Sequence, residues 1–244
     1  MPVADRRPLM YHELAGWFHL LTPPHDYADE AVEVLRLLRA NVEGPLEAAL
    51  ELGSGGGNLA SHLAGRLRLT LTDVSPPMLA LSGSLNPGRE HIETDMRTAR
   101  LGRTFDAVIA HDAIGYMTSE AELRAALQTA FVHLRRGGAA IFMPDWVTDA
   151  FAARTEHGGS DEGRRGLRYL EWDRPIEPDG HTVRTDYVIV LRDGDDVTVH
   201  HDVHTLGIFP RATWLDLMTA VGFEPERIVG DEGLDIFIGI RRAR

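Results

Sequence analysis

Leu46-Glu47-Ala48-Ala49-Leu50-Glu51-Leu52-Gly53-Ser54-Gly55-Gly56-Gly57-Asn58 reads as a buried strand running directly into a loop with almost no side chains. Glycine adopts positive φ and lacks a Cβ, so such a loop lets backbone approach a ligand. Outward from it, β-rich runs alternate with helical patterns, the signature of βαβ units and a parallel sheet. A helix is expected over 58–66, capped by Asn58, then a strand over 67–71 that ends at Thr72-Asp73. Ser75-Pro76-Pro77 opens a second helix, and further strands are read at 90–93, 105–110 and 139–143. Between the last two, 119–134 is helical, with Ser119 and Glu122 spaced as a capping box and Arg136-Gly137-Gly138 as the stop.

The alternation then fails for about seventy residues, too long for a plain loop. Runs at 181–191 and 197–206, separated by Arg192-Asp193-Gly194-Asp195-Asp196, read as an antiparallel hairpin. A helix over 211–221 and strands at 223–229 and 234–240, joined through Gly230-Asp231-Glu232-Gly233, close the sheet. Upstream, a helix starting near Asp26, apolar at Val32, Leu35 and Leu38, is expected over the ligand side.

The 244 residues, 43% hydrophobic, suit one α/β domain with an added lobe. No apolar run reaches the ~18 residues needed to cross a bilayer, and Met1-Pro2-Val3-Ala4-Asp5-Arg6-Arg7 lacks the apolar core of a signal peptide. No membrane association and a cytoplasmic location are expected. The absence of cysteine removes disulfides, thiolate metal sites and Cys nucleophiles. A net charge of −12 argues against gripping a phosphate backbone, so no nucleic-acid partner is expected and a small molecule is favoured. The oligomeric expectation extends to a homodimer.

Glu51, the glycines at 53, 55 and 57, and Asp73, taken together, resemble the nucleotide-binding signature of class I S-adenosylmethionine-dependent methyltransferases. The rival dinucleotide fingerprint, Gly-x-Gly-x-x-Gly, requires a third glycine where Asn58 stands. The resemblance implies a doubly wound, seven-stranded Rossmann-like sheet with antiparallel final strands. It also implies one domain over 1–244, with a helical lid at about 1–40 and a small antiparallel β lobe at about 151–209 covering the acceptor.

S-adenosylmethionine is the implied cofactor. Its methionine part passes Glu51, Gly53, Ser54, Gly55 and Asn58; Asp73 accepts from the ribose hydroxyls, with Val74 and Met78 beside it. Asp95 accepts from the adenine amino group, Met96 lines the ring, and His111 meets the aminoacyl end. Tyr11 and Tyr27 act as lid residues facing the cation. Asp106 alone reads as a solvated strand-edge charge without a role. Two non-methylating alternatives are an NAD(P)-dependent oxidoreductase and a non-catalytic S-adenosylmethionine-binding protein.

Further features are similar to the amino-sugar N,N-dimethyltransferases of macrolide biosynthesis: Tyr11, Asp26-Tyr27, Ile114-Gly115, Val199-His200-His201-Asp202-Val203-His204, Phe209-Pro210-Arg211-Ala212-Thr213-Trp214 and Ala220-Val221-Gly222-Phe223. Tyr116 stands where those enzymes carry histidine, so the acceptor is read only as a small molecule presenting an N, O or C nucleophile. In-line transfer from a sulfonium asks chiefly for position, with a base where the acceptor bears a proton. The candidates for that base are His111, Tyr116 and His204. His200, Asp202 and His204 alternate on one strand face, which is read as solvated polar surface with no metal. Trp146 and Trp172 are candidate pocket residues, and Trp214 is assigned to the core.

Overall fold

The computed structural model describes residues 8–230 and 233–243. Met1–Arg7, where a signal segment was considered, and Asp231-Glu232 of the last turn lie outside them. The chain opens with 3-10 turns at Leu9–Tyr11 and Ala15–Trp17, a single helical turn α1 (Phe18–Leu21), a 3-10 turn at Pro24–Tyr27 and α2 (Ala28–Asn41). β1 (Ala48–Leu52), α3 (Asn58–Leu63), β2 (Arg68–Asp73), α4 (Pro76–Leu85), β3 (Glu90–Glu93), β4 (Phe105–His111), α5 (Glu120–His133) and β5 (Leu134–Met143) follow. β6 (Thr155–Gly158), β7 (Asp161–Glu162), β8 (Arg165–Asp173), β9 (Thr182–Asp193) and β10 (Asp196–Gly207) form a separate antiparallel group. α6 (Arg211–Val221), β11 (Glu224–Val229) and β12 (Asp235–Arg241) return to the first sheet.

That first sheet has the order β11-β12-β5-β4-β1-β2-β3. Its first five strands in the chain pair in parallel and only β12 and β11 are antiparallel, so the carboxyl ends of β1, β2, β4 and β5 share one edge. β1 and β4, in the middle of the sheet, are buried on both faces, which explains their largely apolar sequences, whereas the edge strand β3 is not. One core packs Leu123, Leu127 and Trp214 of α5 and α6 onto the sheet, with the Trp214 ring stacked 4.7 Å from Phe237. The opposite core packs Val34 and Leu38 of α2 and Leu59 and Leu63 of α3 on the other face. The second sheet, β10-β9-β8-β6 with β7 on β8, meets the N-terminal segment through Met10, Leu14 and Leu20 against Leu167, Ile189 and Leu191.

Several local expectations are corrected. α5 stops at His133, whose Nδ1 lies 2.8 Å from Thr129 O and whose Nε2 accepts Leu101 N–H. Leu134 is already extended and pairs with Phe105, so Arg136-Gly137-Gly138 lies within β5, at a register shift, rather than ending a helix. Asn58 is no cap: Gly57 occupies that position at φ 78°, and Asn58 sits inside the helix with its amide donating to Thr22 O. Val32 faces solvent at 69% exposure, because the buried stripe of α2 runs through Ala31, Val34, Leu35, Leu37 and Leu38. Asp106 is not merely solvated; it accepts Glu47 N–H, Ala48 N–H and Arg135 Nε–H, clamping the entry of β1 to β4. β6, β7 and β8 escaped the pattern reading altogether.

Candidate active site

The shared carboxyl edge of the first sheet, the N-terminal segment and the second sheet enclose a cleft of about 760 Å³. Every cofactor and catalytic candidate named from the resemblance lines it. Gly57 does not. A Cβ there would lie 2.3 Å from Asn86 Nδ2 and Ser82 Oγ, so this glycine serves loop packing. Gly53 is likewise enforced by protein, since its Cβ would meet Ala113 Cβ at 2.4 Å and Met96 Cε at 2.8 Å. Only Gly55, at φ 51° with nothing nearer than Met78 Cε at 3.7 Å, faces open cleft.

Asp73 ends β2 and stitches the loop to it, accepting Gly55 N–H at 2.9 Å and Ser75 N–H at 2.8 Å. Burial raises its carboxyl despite these donors. Glu51, 3% exposed near the tip of β1, is pushed up to about 8 by burial, with His111 opposing and Asp73 reinforcing. Three buried polar atoms at this end lack hydrogen-bond partners: Glu51 Oε2, Ser54 Oγ and Asn58 Oδ1. Buried groups of this kind are ordinarily satisfied, so the cleft is built for a ligand with donors at this position. At the other end Met96 is buried and Val74 is exposed. Asp95 is not a free acceptor, because Arg97 Nε and Nη2 bind both its oxygens while Nη1 reaches Glu122.

All five tyrosines of the chain line the cleft. Tyr116 Oη is 2.9 Å from Tyr11 Oη and 2.6 Å from His204 Nδ1. His204 Nε2 is 3.2 Å from Asp202 Oδ2, and the Asp202 carboxylate also accepts Leu9 and Met10 N–H. A file Tyr11, Tyr116, His204, Asp202 thus runs from the cleft into the second sheet. Asp202 and His204 are 3% and 6% exposed, so the expected solvated strand face is a buried one, while His200 turns to Thr198. Among the described residues no group of three His, Cys, Asp or Glu could hold a metal ion. His111 has Glu30 at 2.9 Å from Nε2 and Asp112 at 3.2 Å from Nδ1. Burial alone would lower this imidazole, but the two carboxylates carry it well above its ordinary value.

Tyr169, Glu171 and Tyr187 were missed, as were Asp112 and Asp145. The first three alternate inward from β8 and β9, and β8 is the strand that was not recognised. Asp112 and Asp145 follow β4 and β5, where the rule that parallel sheets bind at their carboxyl ends would have found them. Trp146 packs edge-on against Phe151 beneath Arg154, and Trp172 is 38% exposed; neither lines the cleft.

A family model described as a methyltransferase domain matches residues 49–138, from β1 to the start of β5. The chain is 28% identical over 219 residues to a dTDP-3-amino-3,4,6-trideoxy-alpha-D-glucopyranose N,N-dimethyltransferase of Streptomyces venezuelae, covering 88% of this chain and 91% of the relative. These matches show an S-adenosylmethionine-dependent methyltransferase. Its fold matches the crystal structure of Streptomyces venezuelae DesVI at a TM-score of 0.84 and 25% identity, over 93% of this chain and 98% of that one. A second match is the S-adenosylmethionine-bound structure of an amino pentose methyltransferase from Micromonospora echinaspora involved in calicheamicin biosynthesis. Its TM-score is 0.77 at 26% identity, covering 88% and 91% of the two chains. The dehydrogenase and non-catalytic alternatives fall with these matches. This methyltransferase uses S-adenosylmethionine and acts on a small molecule. Among its described residues no helix is long and apolar enough to cross a membrane.

Proposed function

We propose that this methyltransferase methylates the amino group of an amino-sugar compound. The observation that carries the reading is the file of Tyr11, Tyr116 and His204 ending on Asp202, a proton path that opens into the cleft. The relatives support it, since the named activity of the Streptomyces venezuelae enzyme is N,N-dimethylation of an amino sugar nucleotide.

Glu51, Ser54 and Asn58 are the residues to receive donors at the methionine end, with Gly55 giving close backbone approach. Asp73 is the ribose acceptor; each of its oxygens already takes one N–H and keeps a second lone pair. Met78, Val74, Met96 and Asp95 border the nucleoside, and Asp95 contributes only as far as Arg97 releases it. Tyr27, His111 and Gly53 complete the wall. When bound, S-adenosylmethionine supplies a methyl group on a sulfonium that leaves as a neutral thioether.

An amine reaches neutral water largely protonated and attacks only after losing a proton. Tyr11 Oη accepts a hydrogen bond from the amine, Tyr116 passes the proton on, and His204 Nδ1 receives it. Hydroxyl hydrogens rotate, so every donor in the file can point toward His204. Asp202, held below its usual range by His204 and the lid amides against the opposing effect of burial, stabilises the resulting imidazolium. His111 takes no such part, because carboxylates occupy both of its nitrogens.

Labelled cofactor with amino sugars, phenols and plain sugars tests this reading. Transfer should go to the amines, and Tyr116→Phe and His204→Gln should lower kcat about ten-fold or more while leaving S-adenosylhomocysteine affinity unchanged. Transfer to phenols alone refutes the amine reading, and wild-type kcat in both variants refutes the proton path.

A further inference from the structure

We infer that the acceptor half of the cleft receives a basic amine that carries no phosphate, held by Asp145 and Glu171 between tyrosine rings. This rests on the N-methylation reading above and names the acceptor more narrowly. It also departs from the relatives whose named substrates are nucleotide diphosphate sugars.

The first support is charge. Among the described lining residues the cleft has seven carboxyl side chains and one arginine, Arg97, already bound to Asp95 and Glu122. The cationic His111 is spent on Glu30 and Asp112. A diphosphate brings two negative charges and is ordinarily met by arginine forks, lysines or backbone nests. Arg154, the arginine acting on Glu171, lies over the Trp146 ring and pairs with Glu156.

The second support is independent of the acids. Tyr11, Tyr116 and Tyr187 crowd around His204, with ring centroids 5.5, 6.0 and 4.8 Å from the imidazole. Aromatic walls beside carboxylates are the recurrent way of binding an alkylammonium ion. Asp145, just past β5, shares a hydrogen bond with Asp112 on one side of this group. Glu171 stands opposite Tyr187 in the β8 and β9 pairing and is hydrogen-bonded to it.

The same field appears in proton affinity. Burial, then the Asp112 charge, lifts Asp145 well above its ordinary value. Burial, then Asp173, lifts Glu171 to about 7. Only the part of each shift owed to the neighbouring carboxylate, second to burial in both, is a negative potential that an ammonium ion also feels.

The test compares dTDP-3-amino-3,6-dideoxyglucose with the methyl glycoside of the same amino sugar, using labelled cofactor. The glycoside should have the higher kcat/KM by about ten-fold or more. Asp145→Asn and Glu171→Gln should each raise its KM by a similar factor, with S-adenosylhomocysteine affinity, the check on folding, held within about two-fold. Preference for the nucleotide, or an unchanged KM in both variants, overturns the inference and leaves the amine reading standing. No transfer to either amine by wild-type enzyme that still binds S-adenosylhomocysteine overturns both.

Discussion

Asp202→Asn is the sharpest perturbation, because one carboxylate holds both the proposed lid and His204 of the proposed proton path. Asp202 Oδ1 accepts Leu9 N–H at 2.9 Å and Val203 N–H at 3.0 Å; Oδ2 accepts Met10 N–H at 2.9 Å and faces His204 Nε2 at 3.2 Å. The side chain is only 4% exposed, so water does not substitute for a lost partner. Asparagine keeps the shape but replaces one oxygen by a donor, so either Leu9 and Val203 or Met10 and His204 lose their acceptor. At about 1.5–3 kcal/mol for each hydrogen bond to a charged group, less what the lid regains by hydration when open, closure should weaken by roughly 2–4 kcal/mol. The loss should be local. Met10, Leu14 and Leu20 still pack on Leu167, Ile189 and Leu191, and the two main cores are untouched, so the urea midpoint should move little. Hydrogen exchange of a peptide spanning 8–22 should accelerate by roughly 30- to 1,000-fold, and kcat should fall as His204 loses its orienting carboxylate. Wild-type protection together with wild-type kcat would refute the reasoning.

Gly53→Ala forces a Cβ into Ala113 and Met96 at φ 73°, and urea denaturation should record a loss of about 2–4 kcal/mol. Gly55→Ala meets only open cleft, so its stability should drop by about 1 kcal/mol while S-adenosylhomocysteine titration shows affinity weakened by about ten-fold or more. Asp73→Asn should raise the dissociation constant of S-adenosylhomocysteine by roughly 10- to 150-fold through loss of one charged acceptor; an unchanged constant excludes Asp73 from the ribose. His133 gives a pH test. Burial, with Arg100 and Arg103 and against the Thr129 carbonyl, depresses its folded pKa, so the unfolded chain binds the extra proton. Its contribution is complete above the ordinary histidine value of about 6.5 and is lost as pH falls below that toward the folded value. The wild-type urea midpoint should therefore fall more than that of His133→Asn between pH 7.5 and about 5.5, and parallel curves would exclude the effect.

The parallel core was legible because burial on both faces leaves a run such as Ala107-Val108-Ile109-Ala110 no other reading, and Glu90–Glu93 and Arg211–Val221 fall where the pattern put them. The second sheet was legible only where its strands join through a tight turn, at Gly194. β8 stayed hidden because Arg165-Gly166-Leu167-Arg168-Tyr169-Leu170-Glu171-Trp172 alternates a core residue with charges while Glu171 itself points into the cleft. A carboxylate facing inward is indistinguishable in sequence from one facing water. The glycine loop misled in a smaller way. Gly53 and Gly57 looked like cofactor clearance, whereas long-range neighbours, Ala113 and Asn86, are what exclude their side chains.

The same blindness explains why the proposed proton path could not be read from the sequence. Tyr11, Tyr116 and His204 are separated by 105 and 88 residues along the chain, and each is unremarkable alone. They meet because the N-terminal segment carrying Tyr11 is fixed by Ser75 on one side and Asp202 on the other, so one segment joins the turn after β2 to the second sheet. Ser75 reaches the Tyr11 carbonyl from the turn next to Asp73, the residue assigned to the ribose. Under the proposed function, a cofactor held at the tip of β2 also steadies Tyr11, the first residue of the proposed proton path. Under the proposed function this linkage predicts that the cofactor binds first and the amine second, and product-inhibition kinetics showing random order would refute it.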